Sequence, residues 1–183
     1  MRIITGTAKG RRLQTLEGLH TRPTTERVKE AVFSVIQFGI ADARVLDLFA
    51  GSGQMGLEAL SRGARHCVLC DNDRNAQAVL RKNIATCRME DRAELFAGDF
   101  QSRIARAGRG MFDLIFLDPP YGGDMLNAAL SDIFGFDILR SSGIIVCESG
   151  KGDVLRGIPA PYRILREYRY GNSVITTLTR ENA

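Results

Sequence analysis

The run Phe112-Asp113-Leu114-Ile115-Phe116-Leu117 ends in Asp118-Pro119-Pro120-Tyr121, an acid, two prolines and an aromatic ring at the close of an apolar strand. Two successive prolines fix φ and remove two backbone donors, so the carbonyls near Asp118 and Pro119 are expected to face outward as rigid acceptors. A carboxylate and carbonyls together make an acceptor site for an –NH2 group. The amino nitrogen of a nucleobase has its lone pair delocalised into the ring and is a poor nucleophile. Hydrogen bonds from both of its protons orient it and favour positive charge building on nitrogen. Tyr121 adds a surface on which a base can stack, a contact worth roughly 1–3 kcal/mol.

A second candidate site is Asp47-Leu48-Phe49-Ala50-Gly51-Ser52-Gly53, where another apolar strand gives way to glycines that let a ligand approach the backbone. Read as Gly51-x-Gly53-x-x-Gly56, with Asp71 twenty residues after Gly51, it also fits the dinucleotide fingerprint, which makes a nicotinamide enzyme a rival on this motif alone. Three features favour S-adenosylmethionine. Asp47 would repel a pyrophosphate and welcome the ammonium of a methionine moiety. Gly171-Asn172 predicts an antiparallel hairpin where a dinucleotide fold continues parallel. The chain also has no room for the substrate domain of a dehydrogenase. Asp71 is placed for the ribose hydroxyls, with Asp73 either a weaker candidate or a helix N-cap. Gly98-Asp99-Phe100 offers a carboxylate to the adenine amino group and a ring beside it.

The elements that must carry these groups are legible from periodicity. Val45 to Phe49, His66 to Cys70, Glu94 to Ala97, Leu114 to Leu117 and Ile144 to Cys147 read as short strands. Helices are expected from Leu57 to Arg62 and through Asn83, with Gly51 to Gly56 as a glycine-rich turn. Such alternation gives a mostly parallel sheet with helices on both faces. Tyr162 to Tyr170 and Ser173 to Thr179 form the closing antiparallel hairpin. Before the first parallel strand, a helix starting at Thr24 or Thr25 should bury Val28, Ala31, Val32, Val35 and Ile36. Earlier still, Arg2 to Thr5 and Arg11 to Thr15 read as a short hairpin. The expected division is a basic appendage at 1–22 and a Rossmann-like α/β domain at 23–183.

With 183 residues, 44% of them hydrophobic, the chain can bury one sizeable core. Charge is unevenly placed: residues 1 to 29 carry +5 of a net +4, so the remainder sums to −1. A basic arm on a near-neutral body suits a polyanion, and the preference for arginine suits bidentate phosphate contacts. Cys67 and Cys70 read as C-x-x-C, yet three residues apart on a strand they face opposite ways and cannot share an ion. No metal is expected, and the four cysteines are read as buried thiols in a reducing compartment. No run approaches the roughly 20 apolar residues that span a bilayer, so a soluble, cytoplasmic protein is expected.

At this point the residues resemble a known family, the bacterial 16S rRNA (guanine(966)-N(2))-methyltransferases of the RsmD type. The likeness rests on Met1-Arg-Ile-Ile with Gly10-Arg-Arg-Leu, on Arg22-Pro-Thr-Thr-Glu-Arg-Val-Lys-Glu-Ala-Val-Phe33, on Leu46 to Gly53, on Gly56 to Gly63 and on Asp118 to Tyr121. The resemblance implies a class I S-adenosylmethionine-dependent methyltransferase fold. It implies that Asp47, Phe49, Gly51, Ser52, Gly53, Asp71, Asn72, Asp99, Phe100 and Thr24 hold the cofactor, and that Asp118, Pro119, Pro120 and Tyr121 hold the target base. Arg22 and Thr24 would line the junction between cofactor and RNA, while Arg2, Lys9, Arg11 and Arg12 grip phosphates. The expected partner is 16S rRNA or an assembling small subunit, with the enzyme a monomer. Gln54-Met55 departs from the small-plus-leucine pair more usual after the glycines. The same four-residue motif also serves adenine-N6 methylation of DNA or RNA, and a catalytically silent RNA-binding factor would share the fold.

Overall fold

The computed structural model describes residues 1–16, 26–121 and 123–181. Seven strands form one sheet: β1 (Arg44–Asp47), β2 (His66–Asp71), β3 (Ala93–Ala97), β4 (Phe112–Leu117), β5 (Leu139–Gly150), β6 (Tyr162–Tyr170) and β7 (Ser173–Arg180). Their order is β3-β2-β1-β4-β5-β7-β6, parallel from β3 through β5 and antiparallel at β7 and β6. The helices are α1 (Glu26–Ile36), α2 (Gln54–Ser61), α3 (Arg74–Cys87), α4 (Phe100–Ala105) and α5 (Met125–Phe136).

Strands β1, β2, β4 and the apolar second half of β5 are buried on both faces, which is why they read as continuous apolar runs, while β3 at the sheet edge stays partly exposed. Alternate residues feed two cores. Val45, Leu114 and Phe116 join α1, α2 and α3 on one side, while Leu46, Ile115 and Leu117 join α4 and α5 on the other. Cys67 lies in the first core and Cys70 in the second, as their spacing requires. All four cysteines are buried free thiols, and the described residues contain no group of three metal-ligating side chains. No described helix is long and apolar enough to cross a membrane.

Several boundaries differ from the sequence expectation. Helix α2 begins at Gln54, so Gly56 belongs to the helix and not to the turn. A Cβ on Gly56 would stand 2.5 Å from Leu69 Cδ2 and 2.7 Å from Cys67 Sγ, so the glycine is what lets α2 lie directly on β1 and β2. Helix α3 runs past Asn83 to Cys87, stopping where Arg88 turns left-handed at φ 55°. Strand β5 is twelve residues long, its polar first half lying outside the apolar run that the pattern detects.

Helix α1 is rotated from its expected face. Val28, Lys29, Val32, Phe33 and Ile36 are buried, while Val35 is 41% exposed. The cause is Glu58 on α2, which is fully buried and must be paired. Its oxygens accept from Ile4 N (2.8 Å), Thr5 N (3.0 Å) and Arg62 Nε (2.9 Å), and Lys29 Nζ stands 3.3 Å away. Lys29 also donates to the Arg2 carbonyl at 2.7 Å. Burial pushes the Lys29 ammonium below its ordinary range, and Glu58 opposes that shift. Lys29, counted above among the basic charges of the arm, is therefore unavailable to a polyanion.

The arm folds as expected into a short hairpin, with Arg2 bridged antiparallel to Arg12 and Ile3 N donating to Arg11 O at 3.0 Å. Ile3, Ala8 and Leu13 are buried in the same core as Phe33 and Leu60. Arg2, Lys9 and Arg12 remain exposed, while Arg11 donates to the Thr86 carbonyl.

Candidate active site

Strand order reverses between β1 and β4, and ligands of such sheets bind beyond the carboxyl ends of the strands at that point. The residues singled out from sequence converge there. Asp47 ends β1 and the glycine turn to Gly53 follows it, Asp71 ends β2 and Asn72 follows, Asp99 and Phe100 come after β3, and Asp118 to Tyr121 come after β4. Arg22 and Thr24 lie outside the described residues.

The glycine turn is held by two carboxylates. Asp71 Oδ2 accepts from Gly51 N at 2.8 Å and its Oδ1 from Asp73 N at 2.9 Å, so the end of β2 clamps the turn after β1. Asp47 Oδ2 accepts from Gly56 N at 3.0 Å, inside the first turn of α2. Gly51 and Gly53 adopt φ +53° and +79°, which a side chain disfavours. A Cβ on Gly53 would meet Leu80 at 2.7 Å, whereas one on Gly51 would meet nothing within 4 Å. Gly51 thus faces open space and Gly53 faces the core. Beside them Gln54 Oε1 is buried with no hydrogen-bond partner among the described residues, an acceptor left for a ligand's donor.

Asp47 is only 2% exposed, and burial raises its carboxyl to about 7 against an ordinary 3.8, with Asp71 pushing the same way and the Gly56 hydrogen bond opposing. The folded chain therefore keeps a proton that the unfolded chain loses near pH 4, so this group's contribution to stability falls as pH rises from about 4 to 7. Asp47→Asn, which retains the acceptor for Gly56, is expected to flatten that part of the stability profile. Thermal melts of the protein across this range check it; parallel profiles for the two chains would refute it.

Asp73 caps α3, accepting from Ala76 N at 2.8 Å. Asp99 likewise caps α4, accepting from Ser102 N at 2.7 Å and Ser102 Oγ at 3.0 Å, bonds that hold its carboxyl below the usual range. Phe100 is 8% exposed and its ring lies 5.3 Å from that of Phe49, joining the ends of β3 and β1. Asn72 is exposed and Ser52 half-buried.

Beyond β4, Asp118 is half-buried, Pro119 buried and Pro120 exposed. Tyr121 keeps 44% of its surface open while its hydroxyl donates to Glu148 Oε1 at 2.6 Å and lies 2.8 Å from Ser173 Oγ. Burial, with the Glu148 carboxylate, pushes the phenol up and keeps it protonated. The ring is thereby held at its hydroxyl end while much of the side chain stays open. The sequence reading missed both anchors. Glu148 carries the same signature as Asp47 and Asp118, an acid closing an apolar strand, and could have been found; nothing near Ser173 points to Tyr121.

Asn83 was also missed. It is fully buried, donates to Ser52 O (2.8 Å) and Gln14 O (2.9 Å), and accepts from Gln14 N (2.8 Å). One amide thus ties the glycine turn to the end of the basic arm.

The model of the family described as conserved hypothetical protein 95 matches residues 1–179. The chain is also 34% identical over 181 residues to ribosomal RNA small subunit methyltransferase D of Escherichia coli K12, covering 99% of this chain and 90% of that one. It belongs to this family. Among other members, YlbH of Bacillus subtilis is 38% identical over 173 residues, covering 93% of this chain and 94% of its own. The structure of yhhF from Escherichia coli matches with a TM-score of 0.89 at 35% identity, covering 100% of this chain and 99% of that one. The chain is accordingly a methyltransferase with the Rossmann-like fold of its family, as the motifs led us to expect.

Proposed function

We propose that this methyltransferase acts in the cytoplasm on the exocyclic N2 of a guanine in 16S ribosomal RNA, with S-adenosylmethionine as methyl donor. The observation that carries the reading is the meeting of two sites at the strand-order switch: a clamped glycine turn after β1 and, after the adjacent β4, Asp118 beside an anchored aromatic ring. The names of relatives, such as ribosomal RNA small subunit methyltransferase D, support the RNA substrate.

Bound at the glycine turn, S-adenosylmethionine supplies a methyl group already activated on a sulfonium. The chain's own contribution is positioning and electrostatics. Asp118 and the Pro119 carbonyl accept from the two protons of the base amino group and aim its nitrogen. Tyr121, fixed through its hydroxyl, stacks on the base. The amino group becomes acidic only as it gains the methyl, so its proton would pass to the Asp118 carboxylate or to water and no strong base is required. A guanine N2 lies on the minor-groove and Watson–Crick side, so the base must be unpaired or flipped out to reach Asp118. Asp47 and Asp71 bind the methionine and ribose parts of the donor, and Asp99 its adenine.

Labelled methyl groups offered with small-subunit RNA, and with partly assembled particles, from cells lacking the protein test the reading directly. N2-methylguanosine in the digest is expected. N6-methyladenosine would transfer the assignment to adenine, and no label with donor still bound would leave an RNA-binding protein.

The exposed cations of the arm are assigned to phosphate contacts. Lys9→Gln with Arg12→Gln is expected to lower the salt slope of RNA binding by about 1.4 to 1.8, counting one phosphate per cation. An unaltered slope in filter binding would place the phosphates elsewhere.

A further inference from the structure

Strand β6 is an edge of the sheet: it pairs with β7, and no further described strand lies beyond it. It is also where arginine and tyrosine interleave, as Arg166-Glu167-Tyr168-Arg169-Tyr170. Arg166, Glu167 and Arg169 are exposed, and Tyr168 and Tyr170 are half-buried. Their rings pack on the core that also holds α1 and the arm, which fixes them while leaving part of each open.

Register joins this strand to the active site. Tyr170 lies directly across from Ser173, the residue whose hydroxyl is 2.8 Å from that of Tyr121. Opposed residues of an antiparallel pair share a face, so Tyr170, Tyr168 and, past the irregularity at Ile164/Arg166, Arg166 lie on the Ser173 side of the sheet. Lys151 is close to the β6–β7 turn, its backbone N–H donating at 2.9 Å to the Asn172 carbonyl, and its side chain is exposed. From the ring assigned to the target base, a line of two rings ending in Arg166 therefore runs along the outer strand, with Arg169 on its other face.

We propose that this edge binds the single-stranded RNA flanking the modified guanine, with Arg166, Arg169 and Lys151 on phosphates and Tyr170 beside a neighbouring base. The proposal rests on the RNA reading given above. Charge and continuity carry it: Arg166 lies on the Ser173 face and Arg169 and Glu167 on the other, so a strand laid along the open edge itself meets both arginines and Lys151 against one acid, next to rings of the kind on which unpaired bases stack. The competing role for charge on an edge strand is to block edge-to-edge association between sheets.

The test uses the full chain, a guanine-containing single-stranded RNA oligonucleotide, and the variant Arg166→Gln with Arg169→Gln. The salt slope of RNA binding is expected to fall by about 1.4, one phosphate for each arginine, and RNA affinity roughly tenfold near physiological salt. Donor affinity should stay at the wild-type value. Glu167→Lys should act oppositely, steepening the slope by about 0.7. Unchanged slopes in both variants overturn the proposal, and self-association of the arginine variant in sedimentation would then identify the edge-blocking role. Because binding is read apart from methyl transfer, a wild-type chain that binds this RNA yet labels neither small-subunit RNA nor partly assembled particles would overturn the substrate reading, while a slope change in the variants would still support the surface.

Discussion

Asp118→Ala is expected to lower methyl transfer by about 10²–10³-fold, the loss usual when one preorganised hydrogen-bonding group facing a developing charge is removed. The physical reason is that the amino nitrogen becomes a nucleophile only when its protons are drawn toward acceptors, and Asp118 is the one carboxylate in the motif after β4. The glycine turn is clamped by Asp71 at the end of β2 and by Asp47 at the end of β1, whereas Asp118 stands after β4, so donor binding should be nearly intact. Single-turnover assays read the first quantity and calorimetric titration with S-adenosylmethionine the second. Wild-type turnover in this variant would remove Asp118 from the mechanism; equal loss of donor binding would make it part of the donor site.

A comparable effect on stability is expected at Glu58, far from the chemistry. Glu58→Ala leaves Lys29 charged and buried without its carboxylate and strips acceptors from Ile4 N and Thr5 N, all at once. Breaking a buried pair in this way costs about 3–5 kcal/mol, and in a chain of this length each kcal/mol moves the melting temperature by roughly 2–4 °C. Because the same carboxylate pins the arm to α1 and α2, protection of the Ile4 and Thr5 amides from hydrogen exchange should fall with it. The double replacement Glu58→Met with Lys29→Met removes both charges and should recover part of the loss. A change within about 0.5 kcal/mol, the range of an ordinary surface substitution, would show that the hub contributes little.

Much of the active site was legible because its parts are local. Asp47 with its glycines, Asp71, and Asp118 to Tyr121 each follow an apolar run, and in a parallel sheet all such positions arrive at the same edge. Position along the chain therefore implied proximity in space. The C-terminal hairpin was equally local, since Gly171-Asn172 allows little else, and β6 and β7 fall within a residue of the expected ends. Where the reading slipped, it slipped at positions whose meaning depends on a distant partner. Val35 has the apolar character of a core residue, yet the face of α1 is set by Lys29 reaching Glu58. Gly56 looked like turn because glycine disfavours helix, yet its missing side chain is what the contact of α2 with β1 and β2 requires.

By itself, then, the sequence determined the class of sheet, the family and the two motifs proposed to hold donor and target base, since periodicity and short motifs act over a few residues. Only the tertiary structure decided that β7 inserts between β5 and β6. That insertion sets Ser173 across from Gly150 and Ile175 across from Glu148, so that a hydroxyl and a carboxylate from separate strands meet the phenol of Tyr121. It also decided that Lys29 of α1, one of the cations of the basic N-terminal stretch, is a core residue and that Asn83 joins the arm to the glycine turn. Strand order and buried polar pairing arise from contacts far apart in the chain, and a polar side chain has the same letter whether it ends in solvent or in the core.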